Sequence, residues 1–355
     1  MEKTLRKVST ITFTAIALIL LIGVSPIFAT TAGTATPGNV SDPPLSPTPL
    51  FQIGGDYSYV AAGTALRNTG SGVITTSYTG TVVAAYLVWG IINPETTGTY
   101  ESGAPYNLAN AAINGHAITG TLQSDDVSPC WSNGYMWVYA APVTSYVTSG
   151  TNTVTGFASG LTTGEDPWDG NVVAPLDDGA SLVVLTTGAT ANDIYMYTGA
   201  YTEPFSGNPL TSTFTHGAAD ATTATTTFIV LDGQLPSNYA QYNHVTIDSN
   251  AFPGSDPKTS SATWSYGNLM DTKTYSVSET LGATSDSASV GAYDGDCVTW
   301  AAQVISIPST ASVPPVGVPG APTGVPEFGG SFIVVAAMGV LFVAFSRKLR
   351  PTLSV

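Results

Sequence analysis

The stretches VVAAYLVWGII at residues 82–92 and CVTWAAQVISI at residues 297–307 decide the fold class. Both are rich in β-branched and aromatic residues, and neither shows the 3.6-residue apolar period of a helix. In the second stretch, every second residue from Val298 to Val304 is apolar, so one face would be buried. Both stretches therefore predict β-strands, and we expect Trp89 and Trp300 in the core.

Similar apolar runs follow one another between residues 51 and 308, for example at 181–187 and 225–231. Turn residues separate them, and pairs such as Asn114-Gly115 favour tight hairpins because both residues tolerate positive φ. The pattern predicts an all-β fold, specifically a jelly-roll-like β-sandwich forming a single domain over residues 51–308. No internal repeat is evident in the sequence.

The charge of the chain is unevenly distributed. The formal net charge is −15, and six of the nine basic residues lie at the two ends of the chain. Only Arg67, Lys258 and Lys273 offset the acidic residues between those ends. Such a surface repels nucleic acid, so we expect no nucleic-acid partner. It suits either solubility outside a cell or the binding of cations.

The N-terminus has the parts of a signal peptide, which we place at residues 1–32. A basic MEKTLRK segment precedes an apolar run over residues 11–24, and Ala29 or Ala32 offers a cleavage point. A retained signal anchor is the alternative, although the run is shorter than the ~20 residues of a spanning helix. Residues 33–50 read as a flexible lead-in with a glycosylation sequon at Asn39.

The C-terminus has the pattern of a membrane anchor. A Pro-rich stalk over residues 309–327 precedes an uncharged apolar segment at 328–346, which predicts one transmembrane helix. At a helical rise of 1.5 Å, its 18 apolar or small residues span ~27 Å, close to the hydrocarbon thickness. The basic tail at 347–355 places the C-terminus in the cytoplasm and the domain outside the cell.

The tripeptide Pro326-Glu327-Phe328, followed by this helix and the basic tail, resembles the PEF-CTERM sorting signal of archaeal surface proteins. The resemblance covers about the last 30 residues of the chain. It implies that an archaeosortase-like processing enzyme cuts near the tripeptide and transfers the protein to a lipid. The mature protein would then be lipid-anchored at the cell surface without a transmembrane helix.

Five stretches of the central domain stand in a characteristic order. They are AAYLVWGIINP (84–94), INGHAITG (113–120), the Cys130-Trp131 segment with YAAPVTSYVTSGTNTVTGFA (139–158), GASLVVLTTGATANDIYMYTGAY (179–201) and GDCVTWAAQVISI (295–307). In these stretches the chain resembles a β-sandwich domain of unknown function that occurs in secreted archaeal and bacterial surface proteins. That family has no assigned activity, so the resemblance implies fold and location but no mechanism.

Cys130 and Cys297 are the two cysteines of the chain. In an exported protein such a pair predicts one disulfide, with two buried thiols as the alternative. No Cys-x-x-Cys spacing suggests a metal site at either cysteine.

An acidic segment, GEDPWDGNVVAPLDDG at residues 164–179, is a candidate Ca²⁺ site. Calcium takes six to eight oxygen ligands, which closely spaced Asp, Asn and Glu side chains supply, although the spacing is not that of an EF-hand. Asp is also a common turn residue, and plain turns remain the alternative. The candidate ligands are Glu165, Asp166, Asp169, Asn171, Asp177 and Asp178.

No catalytic motif stands out. His116, His216 and His244 are separated from one another, and we expect each of them at a turn or on a strand surface. The sequence therefore predicts a non-enzymatic surface protein for adhesion, envelope structure or surface assembly, with glycans or other surface proteins as partners. The alternative is a surface-anchored carbohydrate-binding or glycan-hydrolysing protein, for which an exposed Trp168 would be a contact.

Overall fold

A computed structural model describes residues 44–93, 107–128, 134–160, 175–204, 208–233, 238–256, 269–292, 296–310 and 313–318. These residues form sixteen strands and no α-helix, which confirms the all-β prediction. No helix in the described ranges is long and apolar enough to cross a membrane. The predicted signal peptide, lead-in sequon, sorting tripeptide and C-terminal helix lie outside these ranges.

In chain order, the strands are β1 Phe51–Ala65, β2 Gly72–Thr76, β3 Val82–Asn93, β4 Asn110–Ile113, β5 His116–Thr119, β6 Thr121–Ser128, β7 Gly134–Pro142, β8 Gly150–Thr155, β9 Leu176–Pro204, β10 Leu210–Thr215, β11 Thr223–Leu231, β12 Tyr239–Tyr242, β13 Val245–Asp248, β14 Met270–Ser278, β15 Ser285–Gly291 and β16 Cys297–Pro308.

Three antiparallel sheets make up the fold. A large sheet has the order β14-β11-β16-β9-β3-β7-β6, and β1 also pairs with β9. Two four-stranded sheets have the orders β2-β8-β4-β5 and β10-β15-β12-β13. Each small sheet packs through buried apolar side chains against one part of the large sheet, which gives a sandwich-like arrangement.

Strand β9 is 29 residues long and belongs to both parts of the large sheet. Its first part pairs with β3, up to Thr186, and its second part pairs with β16, from Asn192 onward. Strand β1 pairs along both parts, with a register shift between Asp56 and Tyr57. The β1–β9 pair therefore joins the two parts into one continuous structure.

The two parts repeat one strand arrangement. The small sheets have the same order when β2, β4, β5 and β8 are matched with β10, β12, β13 and β15. In the large sheet, β7-β3-β9 corresponds in the same way to β14-β11-β16, while β6 has no described counterpart. The domain thus consists of two structural halves in tandem, a repeat of topology that the amino-acid sequence does not reveal.

The central strands are buried on both faces. On β3, Ala84 and Tyr86 face a core shared by the two halves, whereas Leu87 and Trp89 face the small sheet of the first half. This double burial explains why residues 82–92 read as a continuous apolar run. Trp89 and Trp300 are both fully buried, as their strands predicted.

The first residues of the Pro-rich segment lie against β1. The N–H of Gln52 donates to the carbonyl of Val316, and the N–H of Val316 donates back, at 3.0 and 2.9 Å. Val313 accepts from the N–H of Gly54, and the hydroxyl of Tyr86 donates to Gly317. The beginning of the predicted stalk is therefore fixed to the folded domain.

An asparagine in each half fastens a hairpin to the neighbouring strand. Asn114 and Asn243 occupy the β4–β5 and β12–β13 turns with φ of 50° and 47°. The Asn114 amide donates to Asn152 at 2.9 Å, and its oxygen accepts the N–H of Thr153 at 2.9 Å.

The Asn243 amide makes the equivalent contacts, donating to Asp286 at 2.7 Å and accepting the N–H of Ser287 at 2.9 Å. The asparagine thus meets two needs at once, because it tolerates positive φ and also supplies the hydrogen bonds that fix the hairpin.

We predict that Asn114→Ala and Asn243→Ala each lower the free energy of unfolding by about 1–3 kcal/mol, because each loses hydrogen bonds and an unstrained turn. Urea denaturation measures the change. Asn250→Ala is the matched control, since Asn250 lies exposed at a bend, and its effect should stay within about 0.5 kcal/mol. Equal effects of the three substitutions would contradict the fastening role.

Candidate functional site

His216, Glu279 and Asp286 form a cluster at one end of the second half. His216 directly follows β10, Glu279 directly follows β14, and Asp286 is the second residue of β15. Because Phe214 of β10 pairs with Asp286, the chain leaving β10 passes beside that carboxylate. The potential metal-ligand atoms of the three side chains all lie within 4.8 Å of one another.

The imidazole of His216 is held at both nitrogens. Its Nδ1 lies 2.7 Å from the carbonyl oxygen of Gly217, and its Nε2 lies 3.0 Å from Oδ2 of Asp286. A carbonyl only accepts, so Nδ1 carries a proton, and contact between Nε2 and the carboxylate needs a second proton or another cation. Burial alone lowers the pKa of His216, but hydrogen bonding to Asp286 and Gly217 raises it above the ordinary value.

His216 lies in the connection directly after β10, in keeping with the prediction of a turn or a strand surface, but its side chain points inward. Its side chain is only 1% exposed. The reason is the turn between β14 and β15, which packs over it. The N–H of His216 donates to the carbonyl of Thr284, and Ala219 exchanges backbone hydrogen bonds with Ala283 and Gly282.

Asp286 is the most strongly hydrogen-bonded member of the cluster. The hydroxyl of Tyr242 donates to its Oδ2 at 2.6 Å, and the amide of Asn243 donates to its Oδ1 at 2.7 Å. Burial alone raises the pKa of this carboxyl, but the hydrogen bonds, first that from His216, hold its pKa well below the ordinary value. Asp286 is therefore the member of the cluster whose negative charge is most strongly stabilised.

Glu279 is buried beside this anion. It is 7% exposed, and its Oε1 accepts the N–H of Thr280 at 2.6 Å. Its Oε2 is buried without a hydrogen-bond partner in the described part of the chain. Burial, together with the neighbouring Asp286, raises the pKa of Glu279 to about 7. Two carboxylates and one imidazole in this arrangement share protons or hold a cation.

The first half has neutral residues at the matching positions. Ile74 pairs with Asn152 as Phe214 pairs with Asp286, so Thr76 corresponds to His216. The amide of Asn152 lies 3.4 Å from the hydroxyl of Thr76. The ionisable cluster is therefore particular to the second half.

A second buried charged group joins β9 to the end of β1. The guanidinium of Arg67 donates to Asp178, and both side chains are fully buried. Burial is the largest influence on Asp178 and raises its pKa to about 6, even though Arg67 opposes the shift. Burial and the Asp178 charge also raise the pKa of Asp177 well above the ordinary value.

These two aspartates belong to the predicted calcium site. Asp177 and Asp178 lie inside β9 and are fully buried. The other candidate ligands, Glu165, Asp166, Asp169 and Asn171, lie outside the described residues, so the calcium site stays a prediction. Asp178 already has a cationic partner in Arg67, which lessens its availability to an ion.

Asp256 and Asp271 form another pair of buried carboxyl groups, between β14 and the segment that ends at residue 256. Asp271 accepts the N–H groups of Gly254 and Ser255 at 2.6 and 2.9 Å. Asp256 accepts the hydroxyl of Thr272 at 2.8 Å. Burial raises the pKa of Asp256 to about 7, with a further contribution from the Asp271 charge. These carboxylates fix the chain segment that covers the edge of β14.

The remaining candidate residues have separate locations. His116 is exposed at the start of β5 and stacks on Tyr146, with ring centroids 4.4 Å apart, and His244 is exposed in the β12–β13 turn. Cys297 is buried and disulfide-bonded. Its predicted partner Cys130 lies outside the described residues, as does Trp168, so the pairing remains a prediction.

No protein-family model matches this chain, and no curated protein is significantly similar to it.

We predict that Arg67→Met lowers the free energy of unfolding by about 3–5 kcal/mol, because it leaves the Asp178 carboxylate buried without a counter-charge. The double variant Arg67→Met/Asp178→Asn should recover part of this loss, since the amide carries no charge. A double-mutant cycle by denaturant unfolding measures the coupling. Strictly additive effects of the two substitutions would contradict the ion pair.

We also predict that acidification from pH 8 to pH 5 stabilises the domain through Asp256. Its pKa is raised to about 7 in the folded protein, whereas the unfolded value is about 3.9. Between these values the folded state holds a proton that the unfolded state releases, so the free energy of unfolding rises as pH falls, by on the order of 2 kcal/mol. Urea denaturation at several pH values measures this rise.

Asp256→Asn is the matched variant for that measurement, because the amide keeps the shape and a hydrogen-bond acceptor but does not titrate. Its stability should depend less steeply on pH between 5 and 8 than that of the unaltered chain. The same pH slope in both proteins would show that Asp256 does not carry the effect.

Proposed function

We propose that the chain is a non-enzymatic, exported protein anchored at the cell surface, where it serves adhesion, envelope structure or surface assembly. The observation that carries the proposal is the pair of structural halves joined through β9 and a shared core. Such a continuous two-half β structure suits a rigid scaffold that presents its edges and turns to other molecules. As part of the same proposal, the domain is a β-sandwich with jelly-roll-like connectivity.

Two observations support export and anchoring. Cys297 is disulfide-bonded, and disulfides persist in oxidising compartments outside the cytoplasm. Val313 and Val316 of the Pro-rich segment are hydrogen-bonded to β1, so the predicted stalk would leave the domain from a fixed point. The sequence patterns of residues 1–32 and 326–355 supply the remaining support, with an archaeosortase-like enzyme as processing partner.

Exposed edge strands support a role in assembly. β13 is the last strand of its sheet, and Val245 on it is 64% exposed. An exposed edge offers backbone groups to which another chain can add a strand. The described tryptophans, Trp89, Trp137 and Trp300, are buried and offer no face for a sugar, so they do not favour the glycan-active alternative.

The test is the intact mass of the full chain purified from membranes of its native cells, together with its digestion by protease added to intact cells. We expect a mass that lacks residues 1–32 and the segment from about Pro326 onward and carries a lipid-sized adduct. Protease should degrade the domain without cell lysis.

A variant with Pro326, Glu327 and Phe328 all replaced by Ala is the matched control and should keep the C-terminal segment. A protease-resistant, full-length chain inside the cell would overturn the proposal of export. Specific binding of the purified chain to members of a glycan panel, or release of sugars from those glycans, would favour the carbohydrate-binding or glycan-hydrolysing alternative instead.

A further inference from the structure

The His216–Glu279–Asp286 cluster brings two carboxyl groups and one imidazole together inside the second half. Oε2 of Glu279 is buried without a partner in the described residues, although Glu279 is only 7% exposed. Nε2 of His216 faces Oδ2 of Asp286 at 3.0 Å while the other ring nitrogen donates to Gly217. A cation in the space between the three side chains would satisfy both atoms.

The fold itself does not require these charges. The first half fastens its hairpin through Asn114 and Asn152 with neutral groups, and Thr76 stands where the second half has His216. The two bonds of the hairpin asparagine, to a side chain of the neighbouring strand and from the N–H of the residue after it, are common to both halves. The charges of the three ionisable side chains are therefore not needed to fasten the hairpin.

We propose that His216, Glu279 and Asp286 bind one divalent transition-metal ion of the Zn²⁺ class. Zinc–ligand bonds of about 2.0–2.2 Å place neighbouring ligand atoms ~3.3 Å apart in a tetrahedral site. The 3.0 Å contact is already near that spacing, and ligand atoms within 4.8 Å reach it through side-chain rotation. Two carboxylates and a neutral imidazole balance the charge of the ion.

The groups around the three ligands orient them for an ion. Because Nδ1 donates to the Gly217 carbonyl, the neutral imidazole of His216 has Nε2 available to an ion, which is the usual arrangement at metal-binding histidines. Tyr242 and Asn243 hold the Asp286 carboxylate at both oxygens. The imidazole favours a transition metal over Ca²⁺, because calcium sites are built from oxygen ligands.

Such an ion would fasten the end of β10, the β14–β15 turn and β15 to one another. The proposal uses no residue of the acidic segment at 164–179 and does not rest on surface anchoring. An ion that binds the folded chain and not the unfolded chain raises the thermal unfolding temperature.

The test uses the full chain in detergent, freed of metal with a chelator and then titrated with Zn²⁺ by calorimetry. We expect one tight site per chain, a higher unfolding temperature with Zn²⁺, and weaker binding of Ca²⁺. The matched variant His216→Thr/Asp286→Asn gives the second half the residues of the first half. It should fold, because the first half folds with them, and bind Zn²⁺ at least about 100-fold more weakly.

His116→Asn is the control, since His116 lies on another sheet and should leave binding unchanged. Glu279→Gln is the second variant, because the amide oxygen can still accept the N–H of Thr280 while the ligand charge is lost. It should bind Zn²⁺ more weakly than the unaltered chain. Equal Zn²⁺ affinity in the unaltered chain and the double variant, or tighter Ca²⁺ than Zn²⁺ binding, would overturn the proposal.

Discussion

The continuity of β9 through both halves is the constraint on which the rest of the structure depends. Because one strand serves two sheet parts, its neighbours β3 and β16 have cores on both faces. Apolar residues therefore fill both sides of these strands, and the polar groups among them must find partners inside the protein. Thr202 and Thr299 do so at 2.7 Å, and Nε1 of Trp300 donates to Gln303 at 3.2 Å.

The strands with two buried faces could be predicted from the sequence, since residues 82–92 and 297–307 are apolar without interruption. The Asn114-Gly115 hairpin could also be predicted from the sequence, because positive φ restricts the choice of residues at its turn. The length of β9 could not be predicted, since the run GATAN at residues 188–192 separates two apolar segments and has the composition of a loop. Pairing with β1 up to Thr187 and again from Ala191 onward makes it part of one strand.

The candidate site was beyond the reach of sequence patterns for a different reason. His216 and Asp286 are 70 residues apart, and only the register of β10 with β15 brings them together. The one local signal is the short distance in sequence between Glu279 and Asp286, which flank the connection between β14 and β15. Comparison of the two halves is more informative, because equivalent positions show which polar residues fasten the hairpin and which are additional.

The contact of the Pro-rich segment with β1 has a mechanical consequence. On a chain tethered through its C-terminal end, a pulling force meets the Tyr86–Gly317 hydrogen bond and then the paired hydrogen bonds between Gln52 and Val316. Beyond them lies β16, which is flanked by β9 on one side and β11 on the other. Tension along such a central strand loads its hydrogen bonds in shear, so that many must break together rather than one after another. The tether would then enter the domain at a point suited to bearing load.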